Sequence, residues 1–467
     1  MRTLHRAIAI AAITALLFCG AGAVRAQVNG NATISATDPV FGTLSVGTSS
    51  QFGGAVSSIR WKNKEFINNW DHGRQLAPNF QFFNRFQCFN PYETGSWFDG
   101  HNLTTTSKLL LLTASGNRLE SETQMAWYLH ERGSLAPLDF CGDPAFWLCR
   151  DENGRGTGNP CPPYTGPLSD YRVHKTVTIG FAGIPNVIEY LTDLWIPEPV
   201  LKGLNNPTAV LPYEFNSVRS YDVVSKDYRN IRLLDGEDDR IKVVSNADGS
   251  YAMGWYSTAQ LQPYDNPGTI NFWRVVPPDP SNPDPKNPSQ PDPDFACVHI
   301  GSVNRYDSFN GPGWYPTQRD YLVIGNLAQV KDSLGSLHLQ FPALDPEVFN
   351  WRDYLAINGL PSMTPYEAQK HWLEQGISQG LRGATTFSPS QYLQLNPDLA
   401  TTNYQAAINH YVGNGRGEGR STVAKPAAGM QHLLVNTDRI VNASGQNAFG
   451  QLGTSTPPQI SSLENTV

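Results

Sequence analysis

From residue 41 to about residue 341 the chain is written almost entirely in strand-length segments, and no sustained helical period interrupts them. Segments 108–114 and 119–128 flank Ser115, Gly116 and Asn117, a hairpin signal. Over 172–181, Val173, Val177 and Ile179 fall on one face and His174, Thr176 and Thr178 on the other. Segments 187–196, 241–244, 251–256, 270–276, 321–330 and 334–341 read as further strands. So many strands in succession predict a mainly β chain built on a large antiparallel β-sandwich over 41–342. Residues 27–40 are expected to be a mobile leader.

Two stretches interrupt the sandwich as loop insertions, 141–167 and 277–293. The second, PPDPSNPDPKNPSQPDP, has nothing to pack in a core and reads as an extended or mobile loop. After residue 341 the period changes. Phe349, Tyr354 and Leu355 are echoed by Phe387, Tyr392 and Leu393, and His371, Gly376 and Gly380 by His410, Gly415 and Gly419. Near-copies at this spacing predict two helical-hairpin repeats over 343–423, each covering its apolar face with the next. Pro365 and Pro389 suit helix first turns. Residues 424–467 read as short strands with glycine turns.

The N-terminus looks like an export signal. Arg2 and Arg6 precede an apolar run over 7–18, too short for a comfortable membrane span, and Ala26 closes a cleavage-like site. A signal peptide over 1–26 places the mature chain outside the cell, in the periplasm or on the cell surface. No other stretch is long and apolar enough to cross a bilayer. The net charge of −7 becomes −10 once Arg2, Arg6 and Arg25 are removed. With no basic patch, nucleic acid is excluded as a partner. Of six cysteines, Cys88, Cys141, Cys149, Cys161 and Cys297 lie beyond the signal. An exported chain permits a local bridge among Cys141, Cys149 and Cys161 and a second between Cys88 and Cys297, leaving an odd thiol. Their spacing is not that of a metal site, and no motif calls for a cofactor.

Residues 67–100 mix aromatic and ionisable side chains more densely than any other stretch. Trp70, Asp71, His72, Arg74 and Gln75 stand together, then Phe80, Phe82, Phe83, Phe86 and Phe89, then Glu93, Trp97, Phe98 and Asp99. Aromatic walls around a few ionisable groups suit a cleft for a polar ligand. Asp71, Glu93 and Glu214 are the carboxylates for acid–base work, His72 the proton carrier and Arg74 the clamp for a substrate carboxylate. Trp70, Gln75, Asp99, Arg219 and Trp314 are the candidates for holding the ligand. Each also fits a plainer role: Asp71, His72 and Arg74 as a network locking a turn, Glu93 and Asp99 as turn ligands, Glu214 and Arg219 as a strand-surface pair.

Three resemblances add to this. The repeats resemble a helical repeat of bacterial secreted and surface proteins, carried by Pro397, Asp398, Leu399, His410, Tyr411, Gly415, Glu418, Gly419 and Arg420. It implies an accessory element with a possible cell-surface partner. The tail resembles one blade of the regulator-of-chromosome-condensation type, on Gly429, His432, Leu434, Gly445, Asn447, Gly450, Gln451, Leu452 and Gly453. The sandwich resembles the galactose-mutarotase-like β-supersandwiches, on Gly53 to Trp61, then Glu65 to Asn68, then Asp71 to Gln75. That resemblance implies a carbohydrate ligand and, by analogy of fold, a carbohydrate epimerase, hydrolase or lyase, of which a glycoside hydrolase or polysaccharide lyase is the activity expected here. The alternative is a glycan-binding or scaffolding protein, which is the expectation if every carboxylate is consumed by an internal partner.

Overall fold

The computed structural model describes residues 28–466, with breaks at 83–89, 129–147, 151–155, 161–167, 231–235, 259–268 and 447–458 and shorter breaks of one to three residues elsewhere. The signal segment, Phe83, Phe86, Phe89, Trp97, Phe98, Cys88, Cys141, Cys161 and most of the blade motif lie outside the described residues, as does the side chain of Cys149.

The long alternating segments become a ten-stranded antiparallel sheet. Its centre is Arg118–Trp127, Leu168–Phe181, Ile184–Ile196, Gly313–Gly325 and Ala252–Ser257, each paired with the next. A six-stranded sheet, centred on Thr269–Val276 and Cys297–Tyr306, packs across it. Between the two lie Val177, Ile188, Trp255, Val298, Ile300 and Leu322, all fully buried. The alternation explains the layering: odd residues of Leu168–Phe181 point inward and even ones outward, so one strand covers a core and faces solvent at once. The mainly β, antiparallel expectation is met.

Four expectations are corrected. Residues 27–40 are no mobile leader: Ala32–Asp38 pairs along its length with Gly42–Thr48, and Asp38 Oδ1 closes the turn by accepting from Val40 N at 2.9 Å and Phe41 N at 2.7 Å. The Pro/Asp-rich insertion 277–293 carries a two-stranded hairpin, Pro283–Asp284 with Asn287–Pro291. The end of the expected strand 321–330 and most of the expected strand 334–341 lie instead in a helix, Leu327–His338. Asn326 and Gln329 form a reciprocal capping box there, and Val330, Leu334 and Leu337 recur at helical spacing on the buried side. Finally, Cys297 is a buried free thiol, so the bridge to Cys88 is absent.

The helices from residue 327 onward share their core with the outer face of the large sheet. Val187, Tyr256, Tyr321 and Val323 from strands join Val330, Leu334, Trp372 and Tyr392 from helices in one cluster. A chain of polar contacts crosses the same seam. Tyr256 OH lies 3.1 Å from His338 Nδ1, and His338 Nε2 lies 3.0 Å from Asp345 Oδ2. Arg416 Nη2 donates to Asp345 Oδ1 at 2.5 Å and pairs with Glu347 at 2.7 Å. Burial alone would raise the Asp345 carboxyl, but the hydrogen bonds from His338 and Arg416 more than reverse it and hold it below the usual range.

The two helical units duplicate each other's bonds. Tyr354 OH meets His371 Nδ1 at 2.5 Å, and Tyr392 OH meets His410 Nδ1 at 2.8 Å. Asn358 and Asn396 each donate to the carbonyl of that tyrosine and to the chain 24 or 25 residues on. Gly376 and Gly415 let the tyrosine hydroxyl approach the backbone, because a Cβ at either position would collide with it. Gly415→Ala is therefore expected to cost about 1–3 kcal/mol through displaced Tyr392. A thermal melt unchanged from wild type would contradict this.

Candidate functional site

The polar–aromatic segment enters the fold as a loop tied at both ends to one strand. Asn68 N donates to Val210 O at 2.7 Å, and Val210 N donates to Arg74 O at 2.9 Å. Residues 69–73 must therefore bulge away from the edge of Thr208–Pro212. Gly73, at φ +102°, makes the return in a backbone region other residues resist. Gln75 fills the inside of the bulge, where its amide donates to Asn69 Oδ1 and Asp71 O, both at 3.0 Å, and its carbonyl oxygen accepts from Gly73 N at 3.2 Å.

Asp71 and Arg74 close on each other across the bulge, with Nε 2.8 Å from Oδ1. Arg74 Nη1 donates to the carbonyls of Asp294 and Phe295 at 3.0 and 3.1 Å. Its guanidinium lies 4.7 Å from the centre of the Trp70 ring, which meets His101 and Phe295 edge to face. Burial raises the Asp71 carboxyl, opposed by the charge and hydrogen bond of Arg74. Beneath the loop, burial pushes the Cys297 thiol up to about 11 and the neighbouring His299 down to about 4, with Arg74 and Arg274 adding to the second shift. That pairing, 3.4 Å apart, gives a protonated thiol beside a neutral imidazole and no activated nucleophile.

Against this cluster lies a depression of about 300 Å³ lined by Ile67, Asn68, Asn69, Trp70, Pro212 and Asp294. That is the lower end of the size of small-molecule sites. Its surface offers an aromatic ring, two amides and a carboxylate.

Of the expected site residues, the fold gathers Trp70, Asp71 and Arg74 here and disperses the rest. His72 is buried with Nδ1 2.8 Å from Gly100 O and Nε2 2.9 Å from Gln51 O, so neither nitrogen faces a ligand. Gln75 is consumed inside the loop. Glu93 is sealed in the interior against Lys175. Asp99 accepts from Ser96 N at 3.0 Å and from Thr106 N and Oγ1, both at 2.9 Å, as the ligand of its own turn. Glu214 pairs with Lys64 at the surface, and Arg219 donates to Ser245 Oγ at 2.9 Å. Arg74 is no open clamp, since Asp71 and two carbonyls occupy its Nε and Nη1. Trp314 stands on the outer face of the large sheet.

The structure adds residues that the sequence reading missed. Asn68, Asn69 and Asp294 complete the depression. Inside the sandwich, a polar seam of Lys175, Glu93, Tyr190 and Asp320 divides the main core from a smaller one around Val173 and Leu194. Lys175 Nζ donates to Glu93 Oε1 and, at 2.8 Å, to Gly54 O. Asp320 Oδ1 accepts from Ser302 Oγ at 2.8 Å and Trp255 Nε1 at 3.3 Å, and burial pushes its carboxyl up to about 7. Glu93 Oε2, Tyr190 OH and Asp320 Oδ2 meet no hydrogen-bond partner among the described residues. Also among the described residues, no group of three or more His, Cys, Asp or Glu could hold a metal, and no helix is long and apolar enough to cross a membrane.

No protein-family model and no curated protein matches the chain. The helical-repeat and blade resemblances thus find no counterpart there. Solved structures overlap slightly. A protein of Escherichia coli K12, provisionally described as an aldose 1-epimerase, is 9% identical with a TM-score of 0.34, over 64% of this chain and 100% of its own. The GalM/aldose epimerase homologue from C. elegans is 10% identical with a TM-score of 0.30, over 63% and 99%. An alpha-galactosidase from Lactobacillus brevis is 10% identical with a TM-score of 0.33, over 68% of this chain but 42% of its own. Overlaps this slight carry neither a site nor an activity to the present chain.

Proposed function

We propose that this chain binds carbohydrate at the Trp70 depression and does not cleave it. One observation carries the reading: each carboxylate that the sequence offered for acid–base work is engaged by an internal partner, and the residues lining the depression bring a single carboxyl group, that of Asp294. A glycosidase sets two carboxyl groups about 5–9.5 Å apart across the bond it breaks. Here Asp71 is bound to Arg74, Glu93 to Lys175, Glu214 to Lys64, and Asp99 to its own turn. A lyase or epimerase needs a base and a separate cation for developing charge, whereas Asp71 and Arg74 neutralise each other. The depression offers the Trp70 ring for the C–H face of a sugar and Asp294 for its hydroxyls, with what capacity remains on the Asn68 and Asn69 amides, whose oxygens already accept from Trp70 N and Gln75 and whose nitrogens already donate to Asp294 O and Ser57 O. The path of the chain from Gly53 and Gly54 through Val56–Trp61 and Lys64–Glu65 into this loop supports a galactose-mutarotase-like origin. Export belongs to the same proposal, on the strength of the N-terminal charges and apolar run, as does a surface partner for the helical units.

The test is titration of the mature protein with a panel of polysaccharides, alongside assays for reducing ends and unsaturated products. Binding without turnover is expected. Trp70→Ala should lower affinity at least tenfold, as loss of an aromatic anchor does, and Asp294→Ala several-fold. Turnover that disappears in folded Asp71→Asn would replace this reading with an enzyme.

A further inference from the structure

The outer face of the large sheet carries a second arrangement of aromatic and polar groups. Strand register puts Gln124, Arg172, Trp195 and Trp314 in one row across four neighbouring strands, with Glu122, His174 and Asp193 in the next. Trp314 is 43% exposed. It meets Trp195 at 5.8 Å and 62° and His174 at 6.3 Å and 81°, so two edge-to-face contacts fix the plane of its ring. Acceptors and donors border it. His174 Nε2 lies 2.9 Å from Glu120 and its Nδ1 3.8 Å from Asp193, while Arg172 lies 3.3 Å from Glu122.

Trp314 faces outward because of an irregularity in its strand. Asp320, Leu322 and Ile324 point into the sandwich, and strict alternation would send residue 314 inward with them. Between Thr192 and Asp193 the partner strand steps from Gln318 to Pro316, so Thr317 is an extra residue that reverses the alternation. Bulges of this kind re-aim side chains. This one takes a tryptophan out of reach of the smaller core and sets it on a solvated face.

Resting on the carbohydrate reading above, we infer that this face is a second sugar-binding platform, on which Trp314 stacks against a neutral polysaccharide while the carboxylates and Arg172 bond its hydroxyls. The charges argue for a neutral occupant. Each carboxylate has a nitrogen neighbour, Glu120 beside Arg118 and His174, Glu122 beside Arg172 and Asp193 beside His174, which gives a hydroxyl both donors and acceptors and damps the field that an anionic or cationic polymer would follow. A preset aromatic plane also lowers the ordering cost of stacking. With a second site, a long chain engages the protein at two points and gains avidity that a short one cannot.

The experiment compares wild type, Trp314→Ala, Trp314→Phe and Trp70→Ala, each checked for an unchanged melt. They are titrated with soluble xylan, galactomannan and a mixed-linkage glucan, and with trisaccharides from each. Trp314→Ala is expected to weaken polymer binding at least tenfold and trisaccharide binding far less, with Trp314→Phe recovering part of the loss. Polymer binding by Trp314→Ala equal to wild type overturns the platform and leaves the Trp70 site standing. Loss in Trp314→Ala with none in Trp70→Ala upholds the platform and overturns the Trp70 site instead. No binding of any probe by wild type overturns both.

Discussion

Lys175→Met is expected to destabilise the protein by about 3–5 kcal/mol, the penalty for leaving half of a buried ion pair in place. Lys175 and Glu93 have fully buried side chains and meet each other directly. Burial raises the carboxyl and lowers the amine, and each partner opposes the shift in the other. One proton between the two groups keeps the pair neutral wherever that proton sits. Methionine removes the compensation, so Glu93 must either stay charged without a partner or take up a proton from solvent. The loss should therefore grow with pH. The double variant Glu93→Gln/Lys175→Met should recover most of it, because replacing both members of a buried pair is often close to neutral. Urea titration at pH 7 reads both effects. A single variant within 1 kcal/mol of wild type would mean that the pair carries little weight.

The second large effect concerns Asp320, whose carboxyl burial pushes up to about 7. An unfolded aspartate titrates near 3.9. A carboxyl raised on folding stabilises the protein fully only below its unfolded value, and that stability is lost as pH rises from about 4 to about 7. Three units correspond to about 4 kcal/mol. Asp320→Asn keeps an oxygen for Ser302 and Trp255 and cannot ionise. It should exceed wild type by up to about 4 kcal/mol above pH 7, with the advantage vanishing near pH 4. Denaturant titrations between pH 4 and 8 check this, and parallel curves for the two proteins would contradict it.

Both groups were open to a reader of the sequence. In the alternation of 172–181, residue 175 shares its face with Val173 and Val177, and a lysine on an apolar face asks for a buried partner. Asp320 likewise shares parity with Leu322 and Ile324. The large sheet and its hairpin at Gly116 were legible because strand period and turn chemistry are local. The helix Leu327–His338 was misread because Leu337, Leu339 and Phe341 alternate like a strand, although Asn326 and Gln329 already spelled its cap. The partners of the candidate site were not legible. That Gly100 and Gln51 close on His72, or that Asp294 reaches the Trp70 loop from more than two hundred residues away, follows only from how the sheets pack.

The seam in which Tyr256, His338, Asp345 and Arg416 touch in series bears on how the chain holds together. Its members come from a sandwich strand, a helix, a connecting turn and the second helical unit, and they sit in an apolar cluster drawn from all of these. Trimming the chain after the last sandwich strand would bare a hydrophobic flank and strand a histidine and a tyrosine beside it. The natural cut for expression, for proteolysis or for recombination with another scaffold thus lies beyond residue 423, because the sandwich and its helices pack as one piece.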